Sequence, residues 1–312
     1  MINFKIEYSN CLWLMFLPNS ITKVFFVIIG IMITGHIKGQ EVIPFELYFN
    51  NFKTINPAAA GIFDEQKFDI QFRANNTQVD FHPSFALISY ENQLTSLNSG
   101  IGLILENRQA GISTRVTGKA LYNYQFAFDD QTLVIGTGIG LISDSYDLYL
   151  YKVIDPDDPI LIERSSTTTA FDLDFGIAYI WQNTQAGISI RNVLESEIHD
   201  NEFSRLNRTN IQFLNAYVNH SFKVSNVVIN PSLYLQTDYD NVLADLNTLF
   251  EIRDLLLIGG SYRVTEGNNF LNLNGGIKWK NNIRLMGILY SSGYEGPGNN
   301  YEFSLSIAIE NK

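Results

Sequence analysis

The gaps between the β-patterned segments of this chain alternate in length, and that alternation limits its fold more than any single motif does. About fourteen such segments can be marked after residue 66. Gaps such as DDQ, NT, KVSN, RD and KNN are tight turns. Those between them, among them NNTQVDFHP, the stretch containing DPDDP, and SGYEGPGNN, carry nearly all the length. A meander with short turns at one end and long loops at the other is the pattern of an outer-membrane barrel, with its short turns periplasmic. The expected fold is all-β: a transmembrane antiparallel up-and-down β-barrel of about 14 strands. Because that count is even, both termini are expected on the periplasmic side.

Composition points the same way. Charged residues make up 17% of the chain and hydrophobic ones 46%, with 16 Tyr and 22 Phe. Soluble domains average about 25% charged residues, so this chain needs somewhere to put an apolar, aromatic exterior. After residue 40 no run approaches the roughly 20 apolar residues of a spanning helix.

One long apolar run precedes that point. Lys23 is followed by VFFVIIGIMITG (Val24–Gly35) and then by small Gly39. A cation, a short apolar core and a small residue read as a secretory signal peptide, residues 1–39, cleaved near Gly39/Gln40, with Met15 an alternative start. The core is too short to span comfortably as an anchor. This leader carries Lys5, Lys23 and Lys38 against Glu7, so removing it takes the net charge from −11 to −13. Cys11, the only cysteine, leaves with it, and the mature chain has no disulfide or thiolate chemistry. Such an acidic chain without a basic run does not bind nucleic acid.

Period-2 alternation sorts side chains onto two faces. In Gly111–Phe128, Val116, Ala120, Tyr122, Tyr124, Phe126 and Phe128 share one face, and Arg115, Thr117, Lys119, Asn123 and Gln125 the other. Segments Ala170–Trp181, Ala244–Arg253, Leu271–Trp279 and Tyr301–Ile309 repeat this, placing Asp172, Asp174, Asp245 and Glu251 opposite the greasy face. A wet, charged lumen accounts for that polar face. A soluble sandwich does not fit, because Gly111–Phe128 far exceeds the usual 5 or 6 residues or so of globular strands. Tyr122, Tyr124, Tyr179, Trp181, Trp279, Tyr290 and Tyr301 fall near segment ends, as interfacial girdle residues do.

Residues 40–66 lack clean alternation and contain Pro44 and Pro57, which reads as a periplasmic or plug-like N-terminal segment ahead of a barrel over 67–312. Catalytic and metal signatures are not legible. The four histidines, His36, His82, His199 and His220, show no ligand spacing, and there is no GxSxG. Gly100/Gly102 and Gly136/Gly138/Gly140 sit in strands and precede no helix, so they read as places where the wall bends or another backbone approaches. Asp155, Asp157 and Asp158 are interleaved with Pro156 and Pro159 in the longest external loop. They fit a solvated loop better than a loose Ca²⁺ site. Asp172 and Asp174 suit cation selection in a pore or simple wetting of its interior equally well.

The segment FELYFNNFKTINPAAAG, with Asn56, Pro57, Ala58 and Gly61, resembles the opening of the PorP/SprF family of type IX secretion outer-membrane proteins. Further on, Gly100/Gly102, Gly111, Tyr122/Tyr124 and Leu133/Gly136/Gly140 are similar to the block that follows there, and GPGNNYEFSLSIAIENK to the closing strand. The chain departs from the pattern at Ala59, where a Tyr is usual, at Ala74 after Arg73, and at its Glu310-Asn311-Lys312 end. The resemblance implies a non-enzymatic, cofactor-free outer-membrane protein of gliding Bacteroidota. Its partners would be outer-membrane lipid, the C-terminal domains of secreted cargo or adhesins, and periplasmic secretion components. The candidate partner-binding residues are Asn56, Pro57, Ala58, Gly61, Asp155, Asp157 and Asp158. The competing readings are a transport barrel, porin-like or ligand-specific, and, third, a lipid-modifying barrel enzyme.

Overall fold

The structure is a computed structural model. It describes residues 45–63, 65–76, 83–147, 165–195, 197–198, 208–265, 268–280, 282–291 and 299–310. The signal-peptide region and Asp155, Asp157 and Asp158 lie outside these.

Fourteen antiparallel strands close into one barrel. The first seven are β1 (Glu65–Asn76), β2 (Ser84–Leu94), β3 (Ser99–Ala110), β4 (Ser113–Phe128), β5 (Gln131–Asp147), β6 (Ser165–Trp181) and β7 (Thr184–Arg191). Next come β8 (Phe213–His220, resuming at Phe222–Val224), β9 (Val227–Thr237) and β10 (Val242–Ile252). The last four are β11 (Leu256–Thr265), β12 (Asn268–Trp279), β13 (Ile283–Ser291) and β14 (Asn299–Glu310). Each strand pairs with its sequence neighbours, and β1 pairs with β14 from Glu65↔Glu310 to Asn76↔Asn299. Closure leaves no sheet edge to pair with another chain.

Six connections of two to four residues lie at one end of the barrel, between β2 and β3, β4 and β5, β6 and β7, β8 and β9, β10 and β11, and β12 and β13. Most of these turns hold a non-glycine residue at positive φ, such as Asp129, Gln182, Ser225 and Lys280. The strand ends that border 148–164, 192–212 and 292–298 lie at the opposite end, together with tight turns such as that at Gly111. The two ends are called here the short-turn end and the long-loop end.

Side chains sort as the alternation predicts. On β4, Thr117, Lys119, Leu121, Asn123 and Gln125 are buried inside, while Val116, Tyr122, Tyr124, Phe126 and Phe128 are exposed outside. The apolar exterior of β5 and β6 ends at Leu141 and Phe171, and beyond it Ser143, Ser145, Thr167 and Thr169 face outward. Tyr122, Tyr124, Tyr179, Trp181 and Trp279 are exposed as girdle residues should be. Tyr290 corrects that expectation. It is buried inside, packed with Leu47, Leu257 and Met286, because its strand parity puts it on the lumen face.

The polar inner face differs from the wet lumen expected of it. Asp172, Asp174, Asp245 and Lys119 are all buried. Part of the reason is that residues 45–63 occupy the lumen as three short 3₁₀ turns, Tyr48–Asn50, Phe52–Thr54 and Pro57–Ala59. Glu46 sits at the level of Arg73 and Glu302, in the long-loop half. Asn50 reaches Lys67 and Arg284 near the short-turn end, and Asn56–Gly61 then runs along the wall into β1.

Candidate functional site

The site is the contact between this lumen segment and the wall, and it has two differently built halves. The first is Asn56–Gly61. Pro57 starts a 3₁₀ turn whose N-cap, Asn56, accepts from Ala58 N at 2.9 Å through its side chain. The same carboxamide donates to the carbonyls of Ile177 at 3.0 Å and Ile188 at 3.2 Å, spanning β6 and β7. The segment fits because the wall has no side chains there. A Cβ on Gly176 would fall on the Asn56 Oδ1, and one on Gly136 would come within 2.5 Å of Ala58 N. Gly100 on β3 and Gly187 on β7 flank this groove, which is the close backbone approach that strand glycines allow. Its polar atoms are met from the wall. Ser189 Oγ donates to Ile55 O at 2.6 Å, Asn123 Nδ2 to the carbonyls of Ala58 and Ala60, and Gln125 Nε2 to Gly61 O at 3.0 Å.

The second half, Phe45–Thr54, is held chiefly by charge. Glu302 on β14 accepts from the backbone N–H groups of Glu46 at 2.9 Å and Leu47 at 2.8 Å, and also pairs with Arg73 at 3.1 Å. The Glu46 carboxylate lies 2.5 Å from Arg263, which also pairs with Asp245 at 2.9 Å. Tyr48 OH donates to Asp245 at 3.0 Å. Three carboxylates thus face two guanidiniums in a buried cluster, an arrangement that favours keeping one proton. Burial, only partly offset by Arg263, pushes the Glu46 carboxyl up to about 8. Lower down, Lys53 donates to Asp69 at 2.7 Å and Glu91 at 3.1 Å. Burial pulls the Lys53 ammonium down, but Glu91 and Asp69 outweigh it and hold it above its ordinary value. Apolar contacts add to the seat: Tyr48 lies 4.8 Å from Tyr234, and Phe52 stacks on Tyr217 at 4.5 Å.

Below this half, at the short-turn mouth, a cleft of about 320 Å³ is floored by Phe49, Phe52 and Ile62 and rimmed by Lys67, Lys278 and Arg284. A second cluster lies in the long-loop half of the opposite wall. There Lys119 bridges Asp172 at 2.5 Å and Asp174 at 2.6 Å, and Arg115 clamps Asp144 through two nitrogens at 2.6 Å.

The structure gathers Asn56, Pro57, Ala58 and Gly61 into one contact, with all four buried, and the surface they meet is this chain's own wall. Of the glycines singled out by sequence, Gly100 and Gly136 line the groove, whereas Gly138 and Gly140 face Leu121 and Lys119. Nothing in the sequence singles out Glu46, Asn123 or Glu302 as partners of this segment, and Lys53 stands out only as the lone cation of residues 45–63.

No curated protein matches this chain. Among solved structures it is similar to the P. putida toluene transporter TodX, with a TM-score of 0.51 and 11% identity over 82% of this chain and 93% of that one. A TodX deltaS2S3 mutant, described as a monoaromatic hydrocarbon channel, gives 0.51 and 12% over 84% and 94%. The Acinetobacter baumannii outer membrane protein Omp33 gives 0.48 and 6% over 79% and 99%. At such identities the likeness to TodX is one of fold, that of an outer-membrane barrel. The family model described as type IX secretion system membrane protein PorP/SprF matches residues 37–307, and the chain belongs to that family.

Proposed function

We propose that this protein is the outer-membrane component of a type IX secretion system that binds particular cargo or adhesin proteins. It helps their secretion or their retention at the cell surface, including adhesins used in gliding, and performs no enzymatic step. The observation that carries this reading is the occupied lumen. A barrel whose interior is filled by its own residues 45–63, seated in a glycine groove and by buried ion pairs, suits a binding scaffold better than a pore.

In this reading the short turns and the ends of β1 and β14 face the periplasm and its secretion components, after cleavage of the leader near Gly39/Gln40. The long loops, with Asp155, Asp157 and Asp158, face the cargo. Asn56, Pro57, Ala58 and Gly61 then serve indirectly, by keeping the barrel shut. The test is twofold. Deletion of the gene should remove specific proteins from the cell surface, and the purified barrel should be silent in planar bilayers. An unchanged surface proteome together with steady ion flux would replace this reading with the transport one.

A further inference from the structure

The lumen plug, residues 45–63, hides most of its apolar side chains but not all of them. Leu47, Tyr48 and Ile55 are buried against the wall. Phe49 and Phe52 are only half-buried, and Phe63 at the lip is 57% exposed. With Ile62 they line the cleft at the short-turn mouth, among polar side chains. An apolar floor left open to water inside a polar rim marks a site that another molecule covers. At about 320 Å³ the cleft is at the small end of ligand-sized cavities, which run from roughly 300 to 1,000 Å³. It admits one or two residues of an extended chain and no folded domain.

Charge is spread unevenly around that rim. Beside β1 and β2, Lys53 and Lys67 meet Asp69 and Glu91, and Glu65 stands two residues from Lys67 on the same strand face. Carboxylates outnumber cations there, and the carbonyl of Asn50 engages Lys67 as well. On β12 and β13 the balance is reversed. Lys278 and, at 3.2 Å, Arg284 share a single carboxylate, that of Glu251. One positive charge is left over, and both cationic side chains reach water, being 18% and 31% exposed. The two sides meet through β14, where Ser306 pairs with Arg284 on one flank and Asp69 on the other. About 10 Å, or two strand spacings, therefore separates the cationic side from the acidic one. Gln185 and Asn219, on the facing wall, are uncharged.

We propose that the short-turn mouth is a peptide-binding cleft for an extended segment of a periplasmic protein. The segment seats an aromatic or large aliphatic side chain on Phe49 and Phe52. A carboxylate beside that side chain meets Lys278 and Arg284 in charge-assisted hydrogen bonds. The acidic flank at Glu65 and Glu91 repels the reversed arrangement, and so fixes the direction in which the segment lies. The assignment rests on the proposed secretion role, which puts the short turns in the periplasm. The lumen stays shut, because the segment covers the plug without displacing its contacts.

The test uses the purified barrel in lipid nanodiscs and the peptide Gly-Phe-Asp-Gly, blocked at both ends, with binding read by ligand-observed NMR. The peptide should bind saturably. Replacing its Asp by Asn, or its Phe by Ala, should weaken binding about tenfold. Arg284→Gln in the barrel should weaken the Asp peptide by a similar factor and leave the Asn peptide unchanged, which locates the carboxylate. Phe63→Ser, at an exposed position, should weaken both peptides and keeps the test open if Arg284→Gln does not fold. No saturable binding, or equal binding of the Asp and Asn peptides, would overturn the proposal. Secretion plays no part in this assay. Peptide binding beside an unchanged surface proteome would keep the cleft and remove the secretion role, and the converse would remove the cleft alone.

Discussion

Gly176 and Asn56 share one space: the side chain that the wall glycine lacks is replaced by the carboxamide of the plug asparagine. That carboxamide also ties β6 to β7 by donating to Ile177 O and Ile188 O. Gly176→Ala should therefore unseat Asn56–Gly61 and destabilise the folded barrel by about 1–3 kcal/mol, the usual cost of overpacking. Gly118→Ala is the control, since a Cβ there meets nothing within 4 Å. It should stay within about 0.5 kcal/mol of wild type. Denaturant unfolding of both variants in detergent decides the matter, and equal stabilities would refute the groove.

Lys53 is buried between Asp69 and Glu91. Lys53→Met strands two carboxylates, with Lys67 the only other cation among the described residues within 4 Å of them. The loss should be about 3–5 kcal/mol, as for a broken buried pair. Adding Asp69→Asn should recover part of it, and a double variant no better than the single one would contradict this account.

Seating of the plug should weaken as pH rises. The Glu46 carboxyl sits at about 8 in the seated plug and at 4.5 ordinarily, so between those values the seated state holds the extra proton. Stability therefore falls as pH climbs across that window and levels off beyond either end. Unfolding midpoints measured across the window should show the decline in wild type. Glu46→Gln should flatten it, and a slope unchanged in that variant would exclude Glu46 as its origin.

The lipid-facing belt makes a further prediction. Ile139 is 59% exposed on the apolar exterior of β5, while exposed Thr169 on neighbouring β6 lies past the Leu141/Phe171 limit. Ile139→Arg should cost about 2–4 kcal/mol of membrane-inserted stability, and Thr169→Arg close to nothing. Refolding into liposomes separates the two, and matching costs would mean the belt is drawn in the wrong place.

Much of the barrel was legible because its signals are local. Ala170–Trp181 alternates strictly, and it is the apolar half of β6. What escaped was the outward extension over Ser165–Thr169, where the run SSTTT is polar on both faces and leaves no hydropathy contrast. Tyr290 was misread because nearness to a segment end does not reveal which face a residue takes; its parity with buried Met286 and Ile288 does. In the plug, the Asn56-Pro57 turn and the strand glycines were visible as features without being visible as partners. A missing side chain records that something comes close, but not what.

Strand existence, the two faces of each strand and the order of short and long connections follow from residues only two to a few positions apart, so the amino-acid sequence alone settled the closed wall. Which inward polar groups meet was decided in three dimensions. Glu302 reaches Glu46 across a separation of 256 residues, and any of several lumen carboxylates had the same chemistry to offer. Only closing β1 onto β14 and laying residues 45–63 inside them selected that pair. The same step turned a polar lumen face from a water-lined surface into a buried network of ions.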